Sequence, residues 1–392
     1  MKKLLSILVV IALITVSFAG CGGGGEEGGD ATDTIKIGVF EPTTGENGGG
    51  GQQEVDAIVY ANKVKPTVTV AGKEYKIELE IVDNKSDKTE AATAANYLVD
   101  KGVTAVIGSY GSGVAIAAGD IFKEAKIPAM GCSCSSPQVT KGNEYYFRVC
   151  FTDPFQGTVM ANYAMKQGAK KAAVITQLGD DYSTGLGEFF KNAFKKLTGD
   201  EASIVAEQTF QQNQSDFNAI LQNIKASNPD VIFAPSSITT APLLIKQARA
   251  LGITCPIMGG DTWEHQSIID NAGADSEGVA LSTFFDVNNS LATDTSKEFI
   301  ESYSKEIEGS IPAVSALGYD AYMVMVDAIS RAADLTGESI IAALSATQDF
   351  EGVTGILNFD ENGDAIKDVA IIKTVKDGKF EYKESITLDN VK

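Results

Sequence analysis

Histidine and tryptophan are almost absent from this chain. Its 392 residues include one of each, His265 and Trp263. One histidine cannot build a histidine metal cluster, and a Ser-His-Asp triad would have to use that same residue. No serine stands in the Gly-x-Ser-x-Gly pattern of a nucleophile elbow. We therefore expect no metal, no cofactor and no enzyme, and we place His265 at the exposed start of a helix.

Positive charge and long apolar runs are also scarce. The chain has 32 lysines and arginines against 52 aspartates and glutamates, which gives a formal net charge of −20. Such an acidic surface repels phosphate backbones, and this excludes nucleic acid as a partner. Beyond the amino terminus no segment is apolar enough to span a membrane. Because the length exceeds one ordinary core, the sequence predicts two lobes, and we expect a monomer.

The amino terminus has the features of an export signal. Two lysines precede the apolar run Leu4–Val16, and small residues stand directly before Cys21. The run is too short for a permanent membrane helix, and small residues followed by cysteine resemble a bacterial lipobox. We expect a signal peptide at 1–20, lipidation at Cys21 and a Gly/Glu tether at 21–33, with an ordinary secretory signal as the alternative. The protein would then be extracytoplasmic and anchored to the cell membrane, facing either a periplasm or the medium.

Four cysteines remain beyond the signal, namely Cys132, Cys134, Cys150 and Cys255. The first two are too close in sequence for a comfortable mutual disulfide, and spacing alone does not give connectivity. We expect buried free thiols, and disulfides stay the alternative.

Apolar runs of strand length alternate with amphipathic stretches along most of the chain. The predicted strands are Ile35–Phe40, Ile77–Val82, Ala105–Ile107, Ile127–Met130, Ala172–Ile175, Val231–Ala234 and Pro256–Met258. The predicted helices are Gln52–Val64, Lys88–Lys101, Val114–Lys126, Phe155–Gln167, Gly185–Leu197, Asp216–Ala226 and Pro242–Leu251. After a strand from Val279, the pattern ends in helices and then in strand-and-turn segments: Ser296–Ile307, Ser315–Ala333, Ile356–Asp360, Val369–Thr374 and Phe380–Ile386.

This alternation indicates βαβ units and parallel sheets with helices on both faces. One series lies before about Phe151 and one after it, so we predict an α/β fold with two doubly wound parallel-sheet lobes. The return to helices before a carboxy-terminal hairpin predicts that the chain crosses between the lobes more than once. We place lobe 1 at 34–151 plus 282–356 and lobe 2 at 152–281 plus 357–392, joined by a multi-strand hinge.

Two loops at predicted strand ends are rich in glycine and serine. They are Gly108–Gly113 and Gly131–Pro137. In an open α/β sheet the carboxyl ends of strands and the helix amino termini beside them offer N–H groups and hydroxyls to an anion. The glycine spacing matches no dinucleotide or Walker pattern, so a carboxylate fits better than a pyrophosphate. Simple helix capping is the alternative for either loop alone.

Six segments of this chain resemble consecutive elements of a known protein family, and they occur in the same order as in that family. They are Ala105–Gly113, Glu124–Met130, Phe147–Gly157, Asn228–Phe233, Gln247–Gly252 and Met258–Trp263. Together they resemble the branched-chain amino acid binding proteins of ATP-driven importers, which have the type I periplasmic binding protein fold. The resemblance covers nearly all residues from Ile35 onward. It implies a Venus-flytrap that captures a free amino acid and delivers it to an ABC permease with its ATPase.

The resemblance also implies a set of ligand-binding residues. Hydroxyls at Ser112 and Ser135 would hold the ligand α-carboxylate, and backbone groups at Ser133 would contact both ends of the amino acid. Asp261 would bind the ammonium, where most relatives carry glutamate, and Tyr182 would line the second lobe. A zwitterion needs donors at one end and a fixed anion at the other, and charge-assisted hydrogen bonds contribute about 1.5–3 kcal/mol each.

The side-chain end of the site departs from the family. Its loop after the first strand often carries an aromatic residue, whereas Gly45–Gly51 has none, and a common tyrosine falls on Ser237. Tyr110 and Trp263 are the residues that would refill this space, and core packing is the alternative for Trp263. Leucine, isoleucine or valine is the first expectation for the ligand, followed by a larger or aromatic amino acid.

Two acidic segments are predicted to be structural. Asp360–Asp364 lacks the later glutamate of a calcium loop and predicts a turn, and Asp180 with Asp181 predicts a solvated helix start. A lipid-anchored sensory or regulatory receptor of the same fold, for an aromatic amino acid or a small amide, is the alternative to transport. An extracellular hydrolase is disfavoured because a nucleophile–base pair is missing.

Overall fold

The computed structural model describes residues 33–288 and 293–387. The predictions of a signal peptide, of lipidation at Cys21 and of a tether lie outside these ranges, except that Asp33 is already the first residue of a strand. Within the described ranges, no helix combines the length and the apolar character that crossing a membrane requires.

The first sheet has six strands in the order β2-β3-β1-β4-β5-β6. They are β1 (Asp33–Glu41), β2 (Thr67–Val70), β3 (Lys73–Asp83), β4 (Ala105–Ile107), β5 (Ala129–Gly131) and β6 (Tyr146–Arg148). Neighbouring strands are parallel except for the antiparallel pair β2 and β3. The central β1 is buried almost continuously from Ile35 onward, as expected of a parallel strand that is covered on both faces.

Three helices connect the strands of this sheet. They are α1 (Gly48–Val64), α2 (Lys88–Asp100) and α3 (Ser112–Glu124). α2 begins where the Asp87 carboxylate accepts hydrogen bonds from the backbone N–H groups of Thr89 and Glu90, at 2.8 and 3.0 Å. Such capping satisfies donors that the first helical turn leaves unpaired.

The second sheet has seven strands in the order β15-β14-β11-β10-β9-β7-β8. They are β7 (Ala172–Gln177), β8 (Ile204–Phe210), β9 (Val231–Phe233), β10 (Ile257–Gly259), β11 (Ala280–Thr283), β14 (Val369–Lys376) and β15 (Lys379–Thr387). The five strands from β8 to β11 are parallel, whereas the β14–β15 hairpin is antiparallel to β11. The accompanying helices are α4 (Asp153–Lys166), α5 (Asp181–Thr198), α6 (Asn218–Ser227), α7 (Ala241–Ala250) and α8 (Gln266–Ala272).

Between β11 and the hairpin the chain returns to the first sheet. This part contains α9 (Asp294–Tyr303), α10 (Ala313–Arg331), α11 (Gly337–Ser345) and the small antiparallel pair β12 (Phe350–Gly352) and β13 (Gly355–Leu357). The long α10 packs against α1 and contacts β2 and β4. The chain thus passes from the first sheet to the second after β6, returns for α10, and enters the second sheet again at β14. The residue boundaries of the two lobes stay a prediction.

The predicted α/β class is confirmed, and each predicted strand and helix overlaps an observed one. The half-exposed strands β2 and β8 at the sheet edges were not predicted, nor were β6, α8 and α11. α1 begins four residues before the predicted start. The prediction missed Gly48–Gly51 because this run lacks the apolar periodicity that marks a helix. Asp360–Asp364 is a turn, in which Asp360 accepts the N–H groups of Asn362 and Asp364.

Candidate functional site

A cavity of about 220 Å³ lies between the two sheets. We call the first sheet with its helices the first lobe, and the second sheet with its helices the second lobe. Of the predicted ligand-binding residues, five line this cavity and two do not. Those that line it are Ser112, Ser133, Tyr110, Tyr182 and Asp261.

The first lobe contributes the start of α3 to the cavity wall. Ser112 is the first helical residue, and Gly111 before it has φ 96°, a conformation that favours glycine. The Ser112 Oγ accepts a hydrogen bond of 3.0 Å from the Ser136 backbone N–H. Its own hydroxyl hydrogen can therefore point toward the cavity, beside the unpaired N–H groups of a helix of 13 residues. This arrangement suits an anionic group such as a carboxylate.

The serine loop after β5 is held from behind by Arg148, which is fully buried. Its guanidinium donates to the carbonyl oxygens of Cys134 and Ser136 at 2.8 and 2.6 Å. The same group donates to the Asp364 carboxylate at 2.6 Å and to Thr140 Oγ1 at 2.9 Å. A planar group with several fixed donors can hold two carbonyls and a carboxylate at once, so Arg148 fixes the shape of this loop.

Two serines of this loop take different positions. Ser133 lines the cavity, and its Oγ has no hydrogen-bond partner in the described part of the chain. Ser135 is fully buried beyond the lining, and its carbonyl accepts the backbone N–H of Asp153 at 3.0 Å. The structure therefore brings Ser112 and Ser133 together at the cavity, with Ser135 behind them.

The second lobe contributes a buried carboxylate, Asp261, which is 3% exposed. Its Oδ1 accepts hydrogen bonds from Gln156 Nε2 at 2.7 Å and from the Tyr182 hydroxyl at 2.9 Å. Burial raises the pKa of Asp261 to about 6, and these two hydrogen bonds limit the increase. A Cβ atom at Gly260 would lie 2.0 Å from the Tyr182 hydroxyl oxygen, so glycine is needed there for the hydroxyl to reach Asp261.

A second acid in the same loop, Glu264, is already neutralised. Its carboxylate accepts a hydrogen bond from Lys373 Nζ at 2.5 Å and another from the Thr283 hydroxyl. Asp261, by contrast, forms no ion pair with any residue of the described ranges. The loop therefore presents one buried carboxylate, Asp261, that a cationic group of a ligand can reach.

The two aromatic residues predicted near the ligand side chain have separate surroundings. The Tyr110 ring lies against Gly50, where an added Cβ would be 2.4 Å from the ring, and it occupies the space that the glycine-rich loop leaves open. Trp263 is fully buried outside the cavity lining, and its Nε1 donates to Ser236 Oγ at 3.2 Å. This position agrees with the packing alternative for Trp263, whereas Tyr110 is a cavity residue.

Behind the serine loop lies a buried acidic group made of Glu41, Glu54 and Cys132. One donor atom from each lies within 4.8 Å of the others, a spacing that could hold a metal ion. Burial is the main cause that raises the pKa of Glu41 to about 8 and the pKa values of Glu54 and Cys132 well above their usual range. Near neutral pH Glu41 is therefore mostly protonated and Cys132 remains a thiol, so a cation would have to displace their protons.

Several contacts join the two lobes across the cavity. Lys88 in the first lobe forms an ion pair of 2.7 Å with Asp181 and donates to the Gly179 carbonyl at 2.9 Å. Gln177 Nε2 donates to Glu46 Oε2 at 3.1 Å. These contacts describe a closed arrangement, because each of them requires the cavity walls to approach one another.

Sequence reasoning did not single out several of these residues. Glu41, Gln156 and Gln177 were missed because each occurs alone between apolar or helical segments. A usable signal was present for Arg148, since an arginine that ends the apolar strand β6 and is followed by Val149, Cys150 and Phe151 must find buried partners. The thiols Cys132, Cys134 and Cys150 are buried and free as predicted, whereas Cys255 is half-buried and free.

Predictions outside the cavity have the following outcomes. His265 stands at the start of α8, where its Nδ1 accepts the Ser267 backbone N–H at 3.2 Å, although it is half-buried rather than exposed. Asp180 and Asp181 stand at the start of α5, as predicted, and Asp180 accepts the backbone N–H of Tyr182 at 3.0 Å. They are half-buried rather than solvated, and burial raises the pKa of Asp180 to about 6.

A fold of two parallel-sheet lobes with a ligand-sized cavity between them defines a two-lobed solute-binding protein. A family model described as "Periplasmic binding protein" matches residues 34–379, and the chain belongs to this family. The family is one of substrate-binding proteins and not of enzymes, and it places the chain outside the cytoplasm.

Solved structures and curated relatives agree with this membership. The chain is similar to a leucine binding protein LivK from Thermotoga maritima, with 37% identity, a TM-score of 0.86 and coverage of 91% of this chain and all of that one. It is similar to LivJ from Streptococcus pneumoniae in complex with isoleucine, with 30% identity, a TM-score of 0.81 and coverage of 91% and 99%. A leucine-, isoleucine-, valine-, threonine- and alanine-binding protein of Pseudomonas aeruginosa is 26% identical over 85% of this chain and 88% of that protein.

Proposed function

We propose that this protein captures a free amino acid in the interlobe cavity and delivers it to an ABC permease. The branched-chain amino acids are the first candidates, because similar proteins are named for them. The observation that carries the proposal is the buried carboxylate of Asp261, which faces the start of α3 across a cavity of about 220 Å³.

The two walls suit the two ends of a zwitterion. The Ser112 hydroxyl and the N–H groups at the start of α3 are donors for the ligand α-carboxylate. Asp261 is the anion for the ammonium, and charge-assisted hydrogen bonds of this kind contribute about 1.5–3 kcal/mol each. Because the donors and the anion belong to different lobes, the ligand stabilises the closed arrangement by touching both at once.

The substitution Asp261→Ala tests this proposal. We expect it to weaken amino acid binding about a hundredfold, because it leaves the ligand ammonium without a charged partner in a buried site. Asp270→Ala is the matched control, since Asp270 is an exposed aspartate of the same lobe. Calorimetry would measure the affinity, and circular dichroism would verify that both variants fold. Wild-type affinity in Asp261→Ala would exclude Asp261 as the ammonium site.

The anchor predicted at Cys21 completes the proposal. A lipid at Cys21 with the 21–33 tether would hold the two-lobed module near the membrane, where its permease lies. Tethering raises the effective concentration without additional affinity between the two proteins. Mass spectrometry of the protein from membranes would detect the lipid, and Cys21→Ala should move the protein into the soluble fraction. The absence of a lipid on the protein from membranes, together with an unchanged membrane fraction of Cys21→Ala, would contradict lipid anchoring at Cys21.

A further inference from the structure

The cavity between the lobes has few apolar side chains. Of its nineteen lining residues, Val114 and Leu178 are the aliphatic ones. Leu178 is 44% exposed, so Val114 and the two tyrosine rings provide the buried apolar surface. Ligand sites usually surround a hydrophobic group predominantly with hydrophobic side chains. An extended aliphatic ligand side chain would therefore contact little apolar protein surface in this cavity.

The cavity is also small. Its volume of about 220 Å³ lies below the range of roughly 300–1,000 Å³ that is usual for small-molecule sites. Tyr110 limits the volume, because its ring lies against Gly50 and extends to the cavity wall. A compact ligand therefore matches this space better than a long or aromatic one.

Gln177 adds a specific requirement. It ends β7, lines the cavity and is 3% exposed. Its Nε2 donates to Glu46 Oε2 at 3.1 Å, and this contact fixes which end of the amide is the oxygen. The Gln177 Oε1 accepts no hydrogen bond from residues 33–288 or 293–387. A buried acceptor at the wall of a binding cavity calls for a donor on the ligand.

We propose that the ligand side chain carries a hydroxyl or an amide N–H that donates to Gln177 Oε1. Small polar amino acids, threonine first, then bind more tightly than the branched-chain amino acids for which similar proteins are named. This inference rests on the proposed capture of a free amino acid. Threonine keeps the branched β-carbon of valine and isoleucine and adds the donor. The acceptor on Gln177 is then satisfied inside the closed cavity.

Isosteric ligand pairs test the inference directly. Threonine and valine differ by a hydroxyl in place of a methyl group, and serine and alanine differ by one hydroxyl. Calorimetry on the wild-type protein should give threonine an affinity at least about tenfold higher than valine, and serine a higher affinity than alanine. A site that hydrogen-bonds a ligand hydroxyl discriminates against the analogue that lacks it, because its own polar group is then left unpaired.

The substitution Gln177→Leu should bring the threonine-to-valine affinity ratio close to one. It also removes the contact with Glu46, but that loss affects both ligands equally and cancels in the ratio. Lys88→Ala is the control, since it removes another cross-cleft contact and should leave the ratio unchanged.

Each outcome has a distinct meaning. A threonine preference that disappears in Gln177→Leu supports the inference. Equal binding of threonine and valine, or tighter binding of valine, overturns it and leaves amino acid capture standing. If none of the twenty amino acids binds to the wild-type protein, the proposed function itself fails.

Discussion

Replacing Glu41 by glutamine tests whether the buried Glu41 carboxyl group stays protonated at neutral pH in the folded protein. Glu41 and Glu54 are both fully buried, and the Tyr110 backbone N–H donates to Glu41 Oε2 at 2.5 Å. The pKa of Glu41 is raised from 4.5 to about 8, chiefly by burial. A glutamine side chain has nearly the same shape. Its oxygen can accept from Tyr110, and its amide can donate to Glu54.

The sign of the pH effect follows from proton binding. Between pH 4.5 and about 8, folded Glu41 holds a proton that the unfolded chain has released, so the free energy of unfolding falls as pH rises. The slope is about 1.4 kcal/mol per pH unit for one proton, or about 2.7 kcal/mol between pH 5.5 and 7.5. With an unfolding entropy of about 2.1 cal/mol/K per residue over roughly 360 residues, this equals about 4 °C in Tm.

Calorimetric melting at pH 5.5 and 7.5 would measure this effect. Other buried acids change stability in the same direction, so the relevant quantity is the difference between wild-type and Glu41→Gln. We expect the decrease in Tm with rising pH to be smaller in the variant by about 4 °C. Glu74→Gln, at an exposed position of β3, should behave as wild-type. An unchanged decrease in Glu41→Gln would refute proton retention at Glu41.

Four further perturbations have defined outcomes. Lys88→Ala removes an exposed ion pair between the lobes that contributes about 0–1 kcal/mol. Ligand affinity should therefore fall less than about fivefold, and stopped-flow measurements should show mainly faster ligand dissociation. Arg148→Lys cannot hold two carbonyls and Asp364 together, and urea unfolding should show a loss of about 3 kcal/mol or more. EDTA and reducing agents should leave Tm unchanged. In the native protein a thiol reagent should modify Cys255, which is half-buried, before the three buried thiols.

Local sequence patterns were sufficient to predict most of the fold. Apolar runs separated by amphipathic stretches identified the parallel strands, because a strand covered on both faces needs a nearly continuous apolar run. The edge strand β8 escaped this test, since its residues from Ile204 to Glu207 are half-exposed and alternate less clearly. Gly48–Gly51 belongs to α1 although glycine disfavours helices. At Gly50 and Gly51 an added Cβ would lie 2.4 Å from the Tyr110 ring and 2.0 Å from the Pro42 carbonyl oxygen, so these two positions require glycine.

Part of the candidate site could also be predicted from local sequence patterns. Ser112 and Asp261 stand in short segments whose position at strand ends already predicts a ligand role. Glu41 and Glu54 could not be recognised as a pair, because twelve residues separate them in sequence and either alone has the pattern of a surface acid. Gln177 shows the same difficulty, since its partner Glu46 belongs to the other lobe.

The buried acids around the cleft differ in a way that selects the ligand's charge. Burial raises the pKa values of Glu41 and Asp153 to about 8, whereas that of Asp261 reaches about 6. At pH 7 the first two are mostly neutral and Asp261 is mostly ionised, so of these three buried acids Asp261 is the one that offers a negative charge to the ligand ammonium group. Below pH 6 the protonation of Asp261 should lower ligand affinity by about tenfold per pH unit, measured by calorimetry between pH 5 and 8. Asp261→Asn should bind weakly with no such dependence, and a wild-type affinity that stays constant from pH 5 to 7 would contradict the assignment.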